Sequence, residues 1–208
     1  MAITDYPTLQ STIADWLNRQ DLTSAIKTYI QLAEAKFNRK LRTREMLTRS
    51  TASTTNEFLP VPPDFLETYS LMMDAPNPSY FPPLQYVNED TARLMKGNYT
   101  SGSVRFYSII GSQFELIPRD GTDQINLTLT YYSAIPALSD SEPVNWLILK
   151  SPDIYLYSAM LEAAPYLKND ERIPIWAAAQ QQLLEDMKIE SDRSMRPATT
   201  LIARKRTF

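Results

Sequence analysis

The sequence predicts an α+β fold: an antiparallel helical bundle from N- and C-terminal αα-hairpins, with an inserted antiparallel β-rich lobe and an extended C-terminal tail. Three observations predict it. Apolar residues recur at helical spacing over residues 1–45 and again over residues 141–190. Between them, over residues 46–140, that period fades into Thr, Tyr, Pro and short alternations. Residues 191–208 carry no apolar period and are basic. The expected organisation is therefore a hairpin at 1–45, a lobe at 46–140, a second hairpin at 141–190 packing on the first, and a tail at 191–208.

The clearest helix signals lie late in the chain. Ser151 is placed to cap a helix with Pro152 and Asp153 in its first turn: a hydroxyl for an orphan amide, a residue with no amide to lose, and an anion at the positive end. The body that follows is apolar almost all round, which predicts burial on several sides. Pro165 stops it, and Asn169-Asp170 offers a turn. Ile173, Trp176, Ala177, Gln180, Leu183, Leu184 and Met187 then mark an amphipathic helix.

At the other end, Asp5 and Pro7 open a helix whose stripe is Leu9, Ile13, Trp16 and Leu17. Asp21 is placed to cap a second, with Ile26, Tyr29, Ile30, Ala33, Phe37 and Leu41 inward and Lys27, Gln31, Glu34 and Lys40 outward. Within the lobe, strands are expected near 47–55, 68–73, 84–87, 104–110, 113–117 and 124–132, with an extended Pro-rich run at 57–63. Asn88 should start a short helix ended by Gly97. Gly111-Ser112 is a two-residue hairpin turn, and Ile125, Leu127, Leu129 and Tyr131 share one strand face. The loop at 74–83 and the segment 136–143 complete the lobe. Tyr107, Tyr131, Tyr132, Tyr155, Tyr157, Trp146 and Trp176 read as core, with some at subunit contacts if the protein assembles.

The 208 residues contain no cysteine and no histidine. Thiol nucleophiles, thiolate metal sites, His-based triads and HExxH zinc chemistry are thereby excluded within one chain. Hydrophobic and charged shares of 43% and 22% suit a globular protein, and no apolar run reaches membrane-span length. The first ten residues lack the basic start and apolar run of a secretory signal. Remaining candidates for chemistry are weak. The loop Gly97-Asn98-Tyr99-Thr100-Ser101-Gly102 lacks the P-loop spacing and its Lys-Ser/Thr ending. Asp64 with Glu67, and Asp140 with Glu142, are close enough to share a cation but read more simply as turn or cap residues. Asp120-Gly121-Thr122-Asp123 is a fragment of a calcium loop without the terminal Glu. Glu185 and Asp186, beside Lys188, read as a solvated face. No enzyme activity, metal or cofactor is expected.

Several segments resemble phage head-to-tail adaptor (connector) proteins of the podovirus and gene-transfer-agent type. They are Pro143-Val144-Asn145-Trp146-Leu147, Pro152-Asp153-Ile154-Tyr155-Leu156-Tyr157 and Leu161-Glu162-Ala163-Ala164-Pro165-Tyr166-Leu167. The opening, with Ala14-Asp15-Trp16-Leu17-Asn18-Arg19 and Leu32-Ala33-Glu34-Ala35-Lys36-Phe37-Asn38-Arg39, resembles the same family. The resemblance covers roughly residues 1–187 and is one of fold, since none of these residues performs chemistry. It implies a structural virion protein at the head-tail junction, assembled in the host cytoplasm. Its partners would be further copies in a ring of twelve, the portal protein, tail tube or nozzle proteins, and double-stranded DNA passing without sequence specificity, with no membrane.

The net charge of −3 argues against a dedicated nucleic-acid domain. Lys36, Arg39, Lys40, Arg42, Arg44 and Arg49 nevertheless crowd the end of the second helix, either as dipole-complementing surface charge or as a basic band. In a ring every copy repeats such a band, so Arg39, Arg42 and Arg44 are the candidate DNA-channel face. Arg193 and Arg196 begin the basic tail. Arg204, Lys205, Arg206 and Phe208 in it are the candidate portal contact, on the resemblance's implication that such tails order on the portal. The alternative is a DNA-binding or packaging accessory protein, which a steep salt dependence of DNA affinity would favour.

Overall fold

The computed structural model describes residues 2–74, 82–99, 102–119, 123–167 and 171–196. The expected turn at Asn169-Asp170, most of the 74–83 loop, Thr100-Ser101, Asp120 to Thr122 and the tail residues beyond Arg196 lie outside them. The protein is mixed α+β and divides into two compact units, one from Met1–Glu45 with Ile135–Phe208, the other Met46–Ala134.

The first unit is helical: α1 (Tyr6–Leu17), α2 (Thr23–Lys40), α4 (Trp146–Lys150), α5 (Pro152–Ala163) and α6 (Ile173–Met195). Asp5 caps α1 through a reciprocal pair of bonds, its carboxylate accepting from the Thr8 amide at 2.9 Å and its own amide donating to Thr8 Oγ1 at 3.0 Å. Asn18 ends the helix in the left-handed region (φ 52°), where asparagine is tolerated and its N–H reaches back to the Ala14 and Asp15 carbonyls. The buried stripe is Tyr6, Leu9, Ile13 and Leu17. Trp16, expected in that stripe, is 45% exposed and meets Tyr157 edge-on.

Asp21 does not cap α2. The Arg19 guanidinium claims its carboxylate through two bonds of 2.7 Å, and Leu22 stands at the N-cap without a side-chain bond. Ser151 does not cap α5 through its side chain either. It is also the C-cap of α4, a helix the periodicity does not predict, and its amide donates to Leu147 O at 2.8 Å. The two helices therefore abut. α5 is buried at Ile154, Tyr155, Leu156, Ser158, Ala159, Met160 and Ala163 because it packs against α1, α2 and α6. A helix enclosed on that many sides has no polar face to spare. A 3-10 turn, Ala164–Tyr166, carries the expected proline stop. α6 buries Trp176 and Met187 as expected, but Ala177 is exposed and the helix continues to Met195, burying Ser191. A buried serine carries no hydropathy signal, which is why the apolar period stops short of the helix.

The second unit holds two sheets. β1 (Leu47–Thr54), β7 (Ile125–Ser133) and β3 (Phe65–Met73) are antiparallel with β7 central. β2 (Phe58–Pro60), β6 (Gln113–Ile117), β5 (Phe106–Ile110) and β4 (Gln85–Tyr86) form the other. The lobe is not wholly antiparallel, since β4 runs parallel to β5. The physical reason is α3 (Glu89–Asn98), which lies between them in sequence: a parallel pair needs a crossover, and this helix supplies it. Asn88 caps α3 as expected, but Gly97 lies inside the helix rather than ending it. Gly111, at φ +60°, takes the first turn position between β5 and β6, where glycine is favoured. Leu71, Leu127, Leu129 and Tyr131 of the first sheet share one core with Tyr107, Phe114 and Leu116 of the second. The β7 alternation is what delivers its leucines and Tyr131 to one face.

Candidate functional site

The cations singled out in the sequence prove unequal. Arg39 and Lys40 lie in the last turn of α2, exposed, where their charge complements the negative helix end. Arg42 is half-buried and occupied: its Nη1 donates to the Asn38 and Leu41 carbonyls at 2.8 and 2.6 Å, satisfying acceptors that the helix end leaves over. Arg44 is exposed at its guanidinium, 4.0 Å from Glu45, while its amide donates to Ser191 Oγ at 2.9 Å. Lys36 pairs with Glu162 on α5, and Arg49 stands exposed on β1 in the other unit. Of the three channel candidates, Arg39 and Arg44 present charge at the surface, Arg44 beside Glu45, and Arg42 serves the helix. The portal candidates Arg204, Lys205, Arg206 and Phe208 lie outside the described residues.

The acidic pairs have local tasks. Asp64 accepts from Tyr131 Oη at 2.9 Å, and burial followed by that carboxylate pushes the Tyr131 hydroxyl up to about 12. Asp140 accepts from Lys27 at 2.8 Å, while the Glu142 amide closes a turn on Ser139 Oγ. Glu185 accepts from Gln181 at 3.1 Å on its own helix, and Asp186 is exposed.

One residue expected on the surface is instead inside, at the centre of a polar cluster. Glu34, expected outward, is only 4% exposed. Its Oε1 accepts from the Leu138 amide at 2.8 Å and from Tyr155 Oη at 3.1 Å. Asn145 Nδ2 donates to that same Tyr155 Oη and to the Pro136 carbonyl, both at 2.7 Å, and Asn145 Oδ1 caps α4 by accepting from Ile148 N at 2.9 Å. Asn38 Oδ1 takes the Ile135 amide at 2.8 Å. Together these bonds fasten segment 135–145 to α2 and α5. The available signal was spacing: Glu34 follows Ile26 and Ile30 at steps of four, within the series that continues to Phe37 and Leu41.

Burial pushes the Glu34 carboxyl above its ordinary value, against the two accepted bonds, which favour its charged form. The folded chain therefore holds this proton more tightly than the unfolded chain. Its contribution to stability is greatest at low pH and declines as pH rises from the ordinary carboxylate value through the raised one. Glu34→Gln keeps an oxygen for Leu138 and Tyr155 and removes the titration. Comparing urea midpoints at about pH 7 and about pH 5 should show the balance shifting toward the wild type as pH falls; a constant or opposite difference would contradict the buried-carboxylate account.

A second clasp joins the end of α6 to the segment after α2. Lys150 donates to Glu45 at 2.6 Å and pairs with Glu190 at 2.9 Å. Partial burial raises the Glu45 carboxyl, but the Lys150 bond and charge, with hydrogen bonds from the backbone and from Thr43, together outweigh it and the net shift is downward. With the Arg44–Ser191 bond, this holds the last turns of α6. In the other unit, Lys96 of α3 pairs with Glu57 at 2.5 Å and with Glu115, whose second oxygen accepts from Ser108 at 2.6 Å.

These arrangements fix and join elements. Among the described residues no group of three or more acidic side chains is placed to hold a metal ion, and no helix is long and apolar enough to cross a membrane. A family model described as SU10 adaptor protein matches residues 4–201. No curated protein matches the chain.

Proposed function

The chain belongs to the SU10 adaptor protein family, a family of phage head-to-tail adaptors, and from that membership we propose that it is a structural virion protein at the head-tail junction. Copies assemble as a ring below the portal, extend the DNA channel and give tail proteins a platform. The observation that carries this reading is the extent of the match, which takes in almost the whole chain rather than one motif. On this proposal the two αα-hairpins form an antiparallel bundle that packs side by side around the ring, and the β-rich lobe 46–140 is a module inserted in it. The C-terminal residues, with Arg204, Lys205, Arg206 and Phe208, order on the portal. Arg44 and Arg39 supply positive charge to the channel. Ring closure then multiplies weak individual contacts into a stable collar, twelve copies matching the portal's symmetry.

Native mass spectrometry of the protein alone and with its cognate portal tests the proposal. Joining the portal as a ring of matching stoichiometry is the expected result. Removing residues 197–208 should abolish docking while leaving the fold intact. That cut spares α6, which runs to Met195 and uses Ser191 and Glu190 in its clasp. A protein that ignores the portal and binds DNA with steep salt dependence would instead be the packaging accessory.

A further inference from the structure

Among the described residues of the helical unit, α6 and α2 each leave an outward face uncovered, and the two faces are complementary. On α6 the exposed apolar residues are Ile175 at 67% and Ile189 at 47%. They recur at heptad spacing, so they share one side of the helix. Glu185 and Asp186 lie exposed between them and Asp192 beyond. On α2, Thr28, Leu32, Ala35 and Arg39 are exposed at steps of four, three and four, the spacing of a single stripe. Leu32, at 46% exposure, stands above its smaller neighbours, and Lys40 adjoins the end. α2 carries Lys27, Lys36, Arg39 and Lys40 against one carboxylate, the buried Glu34. α6 carries Glu185, Asp186, Glu190 and Asp192 against Lys188 and Arg193.

We propose that the outer face of α6 docks on the exposed stripe of α2 in a second copy of this chain. Both helices turn their inner faces to α5 of their own copy, so among the described residues the two outer faces remain unmatched. Two different, complementary patches on one molecule generate a heterologous contact, which repeats from copy to copy and closes as a ring when the rotation permits. Leu32 seats against the Ile175 to Ile189 side, and the acidic middle of α6 meets Arg39 and Lys40. Charge complementarity of this kind sets register and speeds encounter more than it adds affinity. The inference rests on the ring reading and refines it: Arg39 belongs to the seam between copies, leaving Arg44 to the channel.

Charge exchange tests it. Neither Glu185→Lys with Asp186→Lys nor Arg39→Glu with Lys40→Glu touches a buried residue, so both variants should keep the wild-type circular dichroism. Each alone should lose at least about tenfold of its ring assembly on the portal, because like charges then face each other. Mixing the two in equal amounts should restore assembly: in an alternating ring the basic α6 of one variant meets the acidic α2 of the other at every second seam, and the unaltered faces meet at the seams between, so every seam is complementary. The natural chain has no cysteine, so Leu32→Cys mixed with Ile189→Cys should cross-link under oxidant only between copies. Wild-type rings with unimpaired charge variants would overturn this inference and leave the ring reading standing. Loss without rescue on mixing, or loss in the α2 variant alone, would assign the basic stripe to another acidic partner and also overturn it. A wild type that forms no ring on the portal would remove both.

Discussion

Truncating Tyr155 to alanine should destabilise the helical unit by about 3–5 kcal/mol, the range for removing a buried aromatic side chain. Tyr155 is fully buried on α5, with its ring 5.2 Å from Phe37 and nearly perpendicular to it. Its hydroxyl stands between Glu34 and Asn145, donating to one and accepting from the other. The loss therefore has two sources, a cavity between α2 and α5 and a buried carboxylate short of a donor. Tyr155→Phe separates them. It keeps the ring and removes only the hydroxyl, for about 1–3 kcal/mol. Urea denaturation followed through the helical circular dichroism should rank wild type above Phe and Phe above Ala. Equal losses for the two variants would mean that the hydroxyl, and not the ring, carries the site.

Phe114→Ala should have a comparable effect on the other unit, again about 3–5 kcal/mol. Phe114 belongs to β6 in the second sheet and is fully buried. Its ring meets Phe65 of β3, in the first sheet, edge-on at 5.5 Å, and Tyr107 of β5 at 5.9 Å. It thus links the two sheets across their shared core, and aromatic pairs of this geometry add to the area they bury. The pairing of β6 with β2 and β5 uses the backbone and survives the change, so the expected signature is selective. Near-ultraviolet dichroism from the packed rings should fall, and susceptibility to proteolysis within residues 46–134 should rise. A variant as resistant as the wild type would show that the sheets do not depend on this contact.

The parts of this fold that were legible in sequence are those where burial follows period. The all-round apolar body of α5 predicted its enclosure, and the β7 alternation predicted the faces of Leu127, Leu129 and Tyr131. Asp5 announced its cap because nothing nearby competes for it. Asp21 failed for the converse reason: Arg19, two residues away, binds its carboxylate in bidentate fashion, and a charge-assisted pair outcompetes an amide. Ser151 failed because α4 ends where α5 begins. Glu34 and Ser191 were missed because hydropathy assigns polar residues outward, and only the partners supplied from distant segments, Leu138 and Tyr155 for one and Arg44 for the other, make their burial affordable. The basic cluster was visible as composition, but composition could not show that Arg42 is a helix cap while Arg39 and Arg44 stand exposed. The parallel β4–β5 pair was hidden because a two-residue strand has no period to read.

The division of the chain also bears on the order in which it folds during synthesis. The β-containing unit is one continuous stretch, Met46–Ala134, whereas the helical unit takes its residues from both sides of it. α1 and α2 leave the ribosome first but lack the helix they enclose, because α5 is made more than a hundred residues later: Glu34 and its bond donor Tyr155 are 121 positions apart. Short amphipathic helices are marginal in water without such a partner. The later unit in sequence is thus the first that can finish folding, and the nascent N-terminal helices wait with Ile26, Ile30 and Phe37 uncovered until α5 emerges.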